Sequence, residues 1–160
     1  MMQPSKYSGV RLRKVEQDDL SRMYEMQLDP ESNRLAVTIP RSAEAFSAHW
    51  ENALRDPRVT AKVIVVGKVL AGYISCFQMD GLDSVGYWID KDYWGQGIAT
   101  RALELLLDEV ANRPLQARVA TSNAASLRVL QKCGFEIVRV QVSPADDRYP
   151  ECEEAVLTLR

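Results

Sequence analysis

Ser84–Arg101, SVGYWIDKDYWGQGIATR, runs an apolar strand into a glycine-rich turn that opens a long helix. Gly95 and Gly97 bracket Gln96, and Ile98 begins the run IATRALELLLDEVA. Its apolar positions Ala99, Ala102, Leu103, Leu106 and Val110 recur at intervals of three and four, a helical period. The first turn of a helix leaves backbone N–H groups without partners, and the macrodipole makes that end positive. A phosphate-bearing ligand is held there without cationic side chains. Glycine on either side of Gln96 lets such a ligand approach the backbone and frees φ.

A Gly-x-Gly by itself is equally a tight strand-to-helix turn. A dinucleotide-binding reading fits poorly, because Thr100 stands where a third glycine belongs and no acidic residue closes a strand about 20 residues later. No Gly-Lys-Ser/Thr follows, which excludes a Walker P-loop. A second run decides between them. In TSNAASLRVLQKCGFEIV, Ser122 or Asn123 can cap a helix that Gly134 ends, with Asn123, Ser126, Leu130 and Cys133 on one face.

Together, YWGQGIAT with its Ala/Leu helix and Asn123 to Phe135 with its Gly-Phe close resemble motifs A and B of the GNAT N-acetyltransferase superfamily. One strand, LQARVAT, separates them, in the family's order. Trp94 at the usual Arg/Gln position resembles the RimJ/RimL-like branch, which acetylates protein N-termini, and related enzymes acting on small amines. The resemblance covers residues 10–142 and is specific in 84–135.

The chain has 160 residues, read as a single domain over 1–160 with a loose polar lead-in at 1–9. Its 20 basic and 22 acidic residues leave a net charge of −2, which argues against nucleic acid as the main partner and suits a cationic amine. Cys76, Cys133 and Cys152 are widely spaced, with one histidine, His49, so neither a disulfide framework nor a metal site is expected. An apolar leader and a membrane-length apolar run are both absent, which makes the cytoplasm the default.

Val10 to Val15 reads as an edge strand, and Leu20 to Leu28 as a helix stopped by Asp29-Pro30. Glu31 to Arg41 reads as a loop, where the resemblance puts a wall of the acceptor site. Ser42 should cap a helix running to Asp56-Pro57. His49 on it reads as a flank residue beside Trp50. Ala61–Val66 and Val69–Met79 form strands about a Gly67-Lys68 type II′ turn, and the second, apolar on both parities, should be covered on both faces. Cys76 in it reads as a small core residue. Strands at Asp83–Ile89, Leu115–Thr121, Glu136–Val142 and Ala155–Leu159 complete a mixed, mostly antiparallel α/β sheet of about seven strands with helices on both faces.

Given the resemblance, the fold is the acyl-CoA N-acyltransferase fold, its central strands splayed around the pantetheine arm. It implies acetyl-CoA as cosubstrate, held by Ile89, Trp94, Gly95, Gln96, Gly97, Ile98, Ala99, Thr100, Asn123 and Ser126, with no metal and no membrane or nucleic-acid partner. Acetyl passes directly from thioester to a primary amine in a ternary complex. A backbone N–H around Tyr87 to Ile89 is the family's oxyanion donor. The motif B tyrosine that protonates the leaving thiolate is replaced by Leu130. Ser126, one turn earlier, is the candidate acid, or else simply bonds a backbone carbonyl. Asn123 contacts pantetheine or only caps its helix. Ser84 replaces the branch's usual Glu, leaving neighbouring Asp83 as candidate base. Of Tyr87 and Trp88, one should face the acceptor and the other the core. Arg128 and Lys132, read on the face opposite Asn123, are either solvated or contact the coenzyme's 3′-phosphate. Closing strands often mediate dimers in the family, so a homodimer is expected. A coenzyme-binding module that has lost catalysis is the other reading, motivated by Leu130 and Ser84.

Overall fold

The computed structural model describes residues 9–160, so the lead-in expected at 1–9 lies, but for Gly9, outside the described residues. Seven strands, β1 (Val10–Lys14), β2 (Thr60–Val66), β3 (Val69–Met79), β4 (Leu82–Ile89), β5 (Leu115–Ala120), β6 (Glu136–Ser143) and β7 (Cys152–Leu159), form one sheet. Its order is β1-β2-β3-β4-β5-β7-β6. Every neighbouring pair is antiparallel except β4 with β5. Five helices accompany it: α1 (Leu20–Met26), α2 (Pro30–Ala36), α3 (Ala43–Arg55), α4 (Ile98–Glu109) and α5 (Ala124–Lys132).

Strand alternation divides the core between the two faces. Val63 and Val65 of β2 join Met23, Phe46 and Trp50 of α1 and α3. Ile64, between them, joins Ile74, Leu103, Leu106, Leu130 and Phe135 against α4 and α5. Because β3 contributes Tyr73 to the first cluster and Ile74 and Cys76 to the second, it is covered on both faces, as its doubly apolar sequence requires.

Local chemistry accounts for the helix ends. The Ser42 hydroxyl accepts from Ala45 N–H at 3.2 Å to start α3. At the end of α5, Phe135 N–H donates to Leu130 C=O at 3.0 Å and Gly134 N–H to Gln131 C=O at 3.1 Å, a Schellman close. One expectation fails in part: α2, Pro30–Ala36, takes up the start of the stretch from Glu31 to Arg41 read as a loop, and only the residues from Val37 to Arg41 are irregular. Asp29-Pro30 does end α1, but Pro30 also supplies the first residue of α2 while Asp29 accepts from Ser32 N–H at 2.8 Å. Proline lacks the N–H that a first helical position would leave unpaired, so it starts a helix as readily as it stops one.

The sheet opens where the site lies. Parallel β4 and β5 share a single register pair, Ser84 with Gln116, and diverge beyond it. On the other side of β4 the ladder to β3 is complete from Leu82 to Ile89. Asp90 N–H donates to Ala71 C=O at 2.8 Å, which sets the antiparallel alternation. It follows that the Tyr87 and Ile89 backbone groups point into the gap.

Candidate active site

Gly95 and Gly97 both take left-handed φ, 75° and 76°, and Gly97 stands at the N-cap of α4 with no side chain covering the helix end. Arg101 is the first residue of the helix to bond back, to Gly97 C=O at 3.1 Å. Ile98, Ala99 and Thr100 therefore present N–H groups without a partner among the described residues. These groups face a cavity of about 390 Å³, lined also by α2, the end of β4 and α5. Trp94 Nε1 donates to Ile89 C=O at 3.0 Å, pinning the turn to the strand.

A second cavity, about 580 Å³, lies on the α1 and α3 face. It runs from Arg41, His49 and Arg148 past Tyr73 to the opened edge of β4 and β5. The two cavities share Ala36, Tyr87, Trp88, Asn123 and Ser126. At that junction the Tyr87 hydroxyl lies 2.6 Å from Ser126 Oγ, joining β4 to α5 across the gap. Burial pushes the Tyr87 phenol up to about 12, more than its bond to Ser126 pulls it down. Tyr87 thus keeps its proton throughout the neutral range. Trp88 turns the other way, its Nε1 donating to Met26 C=O at 3.2 Å.

Two pockets joined by a hydroxyl pair through an opened parallel strand junction are the arrangement to compare with known proteins. A family model described as an acetyltransferase (GNAT) domain matches residues 10–136. The chain belongs to the GNAT acetyltransferases. A curated relative, the probable N-acetyltransferase YjcK of Bacillus subtilis (strain 168), is 38% identical over 74 residues. The match covers 41% of this chain and spans 41% of that relative's length. Mycobacterium smegmatis RimJ in complex with CoA-disulfide shares the fold at a TM-score of 0.76 and 21% identity, over 94% of this chain and 81% of that one. RimL, a ribosomal L7/L12 α-N-protein acetyltransferase solved with coenzyme A, matches at 0.78 and 18%, over 95% and 94%.

GNAT enzymes use acetyl-CoA, and the unpaired N–H groups over the smaller cavity fit a pyrophosphate. Ile89, Trp94, Gly95, Gly97, Ile98, Ala99, Thr100, Asn123 and Ser126 all line that cavity. Gln96 does not; its side chain turns back toward Asp92 C=O at 3.4 Å. Among the described residues no His, Cys, Asp and Glu side chains cluster as metal ligands.

Asn123 caps α5, its Oδ1 accepting from Ser126 N–H at 3.4 Å, and also lines both cavities, so capping and site placement coexist. Asp83 is not brought to the junction. It shares the face of Tyr87 but sits four residues down the strand, about 13 Å at strand rise. There it accepts from Asn112 Nδ2 at 3.2 Å. Neither Tyr87 nor Trp88 is consigned to the core: both are half-buried and both line the two cavities. Arg128 and Lys132, expected on the face opposite Asn123, border the same smaller cavity as Asn123, since a short helix set beside a pocket exposes both flanks to it.

Arg41 closes the segment from Glu31 to Arg41 in which the resemblance puts a wall of the acceptor site, and it lines the larger cavity together with Tyr73, Arg148 and Tyr149, which the sequence did not mark. The four come from three separate segments, the stretch before α3, β3 and the loop between β6 and β7, with no shared spacing. Gln27 was also missed. Only 1% exposed, it donates to Arg41 C=O at 3.0 Å and accepts from Arg41 N–H at 2.8 Å, a two-bond clamp that fixes where Arg41 leaves the backbone.

Proposed function

We propose that this chain is an acetyl-CoA-dependent N-acetyltransferase transferring acetyl directly to a primary amine, with the coenzyme in the smaller cavity and the amine in the larger. The observation that carries this reading is the Tyr87–Ser126 hydroxyl pair at the only junction between the two cavities among the described residues. Acetyl-CoA supplies a thioester-activated acetyl group. The N–H groups of Ile98, Ala99 and Thr100 hold its pyrophosphate, and exposed Arg128 and Lys132 are placed for its remaining phosphate.

At the junction, the Tyr87 and Ile89 N–H groups are the donors for negative charge developing on the acetyl oxygen. Ser126 passes its hydroxyl proton to the departing sulfur as the hydrogen-bonded Tyr87 phenol hands its own to Ser126, and bulk water then reprotonates Tyr87. No carboxylate takes the role sought in Asp83. Asp56 is the acid on the acceptor cavity, and Arg58 engages both its oxygens at 3.1 and 3.0 Å. The cationic lining favours the unprotonated amine instead, because neighbouring positive charge lowers an ammonium's pKa. Bulk water then accepts the amine's proton.

The same reading includes a cytoplasmic enzyme that pairs through β6, the free edge of the sheet, where Ile137, Val138, Val140 and Val142 are exposed. Sedimentation as a monomer at micromolar concentration would remove the dimer from it. The deciding experiment is isothermal titration with acetyl-CoA, dephospho-CoA and NAD, followed by an amine screen. Micromolar binding of acetyl-CoA with turnover is expected. Binding without turnover of any amine would favour a coenzyme-binding module, and no binding at all would leave the fold without the activity.

A further inference from the structure

The larger cavity carries charge that the chain itself does not neutralise. Arg41, Arg118 and Arg148 line it against one acid, Asp56, which is already occupied by Arg58. Arg118 is paired with Asp80 at 2.8 Å. Arg41 and Arg148 have no carboxylate partner among the described residues, and Arg148 Nε is buried without any hydrogen-bond partner. The Arg41 guanidinium is pulled down by burial and then by the Arg148 charge. Two half-buried, like-charged forks facing one pocket raise the energy of the empty site, and an anion relieves both.

Both residues are anchored at the pocket. Gln27 clamps Arg41 through its backbone. Arg148 belongs to the β6–β7 loop, where its C=O accepts from Ile39 N–H at 2.7 Å and its Nη1 donates to Ile39 C=O. That bridge ties the stretch before α3 to the loop between β6 and β7 at the pocket's cationic end. Both charges reach Tyr73, which pairs with Trp88 across the β3–β4 ladder, next to Tyr87 and its bond to Ser126.

We propose that the acceptor is a small amine bearing an oxyanion, carboxylate or phosphate, which Arg41 and Arg148 grip while the amine reaches the Tyr87–Ser126 junction. This rests on the transferase reading and names its substrate class. It excludes polyamines, whose second ammonium would meet the two guanidinium groups.

The test measures acetyl transfer, read as thiol released from acetyl-CoA, for short amines of matched length ending in methyl, ammonium, carboxylate or phosphate. Charge-assisted bonds to one or both forks predict kcat/KM about ten- to a hundredfold higher for the oxyanion amines than for the methyl one, with the diamine slowest. The better of the carboxylate and phosphate arms identifies the oxyanion. Arg41→Gln and Arg148→Gln should each erase most of that advantage, and Arg148→Lys, which keeps charge but not the fork, should restore part of it. Arg41→Gln guards against loop disruption in the Arg148 variants, since Gln27 holds residue 41 by its backbone.

Faster transfer to the methyl amine, the diamine or peptide N-termini overturns the proposal, as does a preference that survives both variants. Calorimetric binding of the N-acetylated oxyanion products to the coenzyme A-loaded protein separates the two layers. If no amine turns over yet the products bind in a manner that needs Arg41 and Arg148, transfer fails and the anion site stands. Absence of both turnover and product binding, in protein that binds coenzyme A, overturns the anion site itself.

Discussion

The two cavities that meet at Tyr87 and Ser126 are built from different parts of the chain's chemistry. The smaller is mostly backbone: a left-handed glycine turn, three unpaired N–H groups and a helix dipole, drawn from one continuous stretch with α5 laid alongside. The larger is mostly side chain, with Arg41, His49, Tyr73, Arg118 and Arg148 gathered from α3, two strands and two loops. Backbone recognition depends on a local conformation that few sequences can adopt. Side-chain recognition depends only on where distant segments happen to converge, so it can change by single substitutions while the coenzyme half stays as it is. Under the proposed function, the coenzyme is held by local backbone in the first cavity, and the choice of acceptor falls to the convergent side chains of the second.

Gly97→Val should break the comparison most severely. It forces a β-branched residue into φ near 76° at the mouth of the cradle. Losing one or two charge-assisted N–H contacts should weaken acetyl-CoA binding about a hundredfold. The left-handed strain itself costs about 1–2 kcal/mol, which an ordinary domain survives. Unaltered affinity in the folded variant would show that the helix end does not hold the coenzyme.

An intermediate effect is expected where the cavities join. Tyr87→Phe and Ser126→Ala should each lower kcat about a hundredfold while leaving acetyl-CoA affinity close to that of the parent protein. Because the two hydroxyls act as one unit, the double variant should be scarcely slower than either single. Full additivity in that cycle would separate the pair and return Ser126 to a purely structural bond.

The smallest effect is a titration. His49 is the chain's one histidine, so its imidazole signals are unambiguous by NMR. Desolvation, reinforced by the Arg41 and Arg148 charges, holds its pKa down to about 4, so it stays neutral where an ordinary histidine at 6.5 would be gaining a proton. Arg41→Gln should move the midpoint upward by removing one of those charges. An unshifted midpoint would mean that His49 does not sense the acceptor cavity.

Much of this is legible in the sequence alone, and the reason is local. Gly95-Gln96-Gly97 before an amphipathic run, and Asn123 with Gly134 around another, are short-range signals that specify their own backbone. The strands, the covered β3 and the caps at Ser42 and Asn123 followed in the same way. The misreading of Pro30 was also local, because the same residue ends one helix and opens the next and only Asp29's side chain distinguishes the cases. Asp83 failed for a different reason. Nothing in the sequence fixes the strand's register or says which end of a strand the site occupies.

The sequence by itself therefore determined the element order apart from α2, the left-handed glycine turn at the start of α4 and the family, since turn conformation, helical period and capping are decided within a few residues. Only the tertiary structure decided where β4 and β5 part, that Tyr87 finds Ser126 across the gap, and that Arg41 and Arg148 converge without a carboxylate between them. Those contacts join segments far apart in the chain, and their existence depends on sheet register and loop packing, which no local pattern encodes.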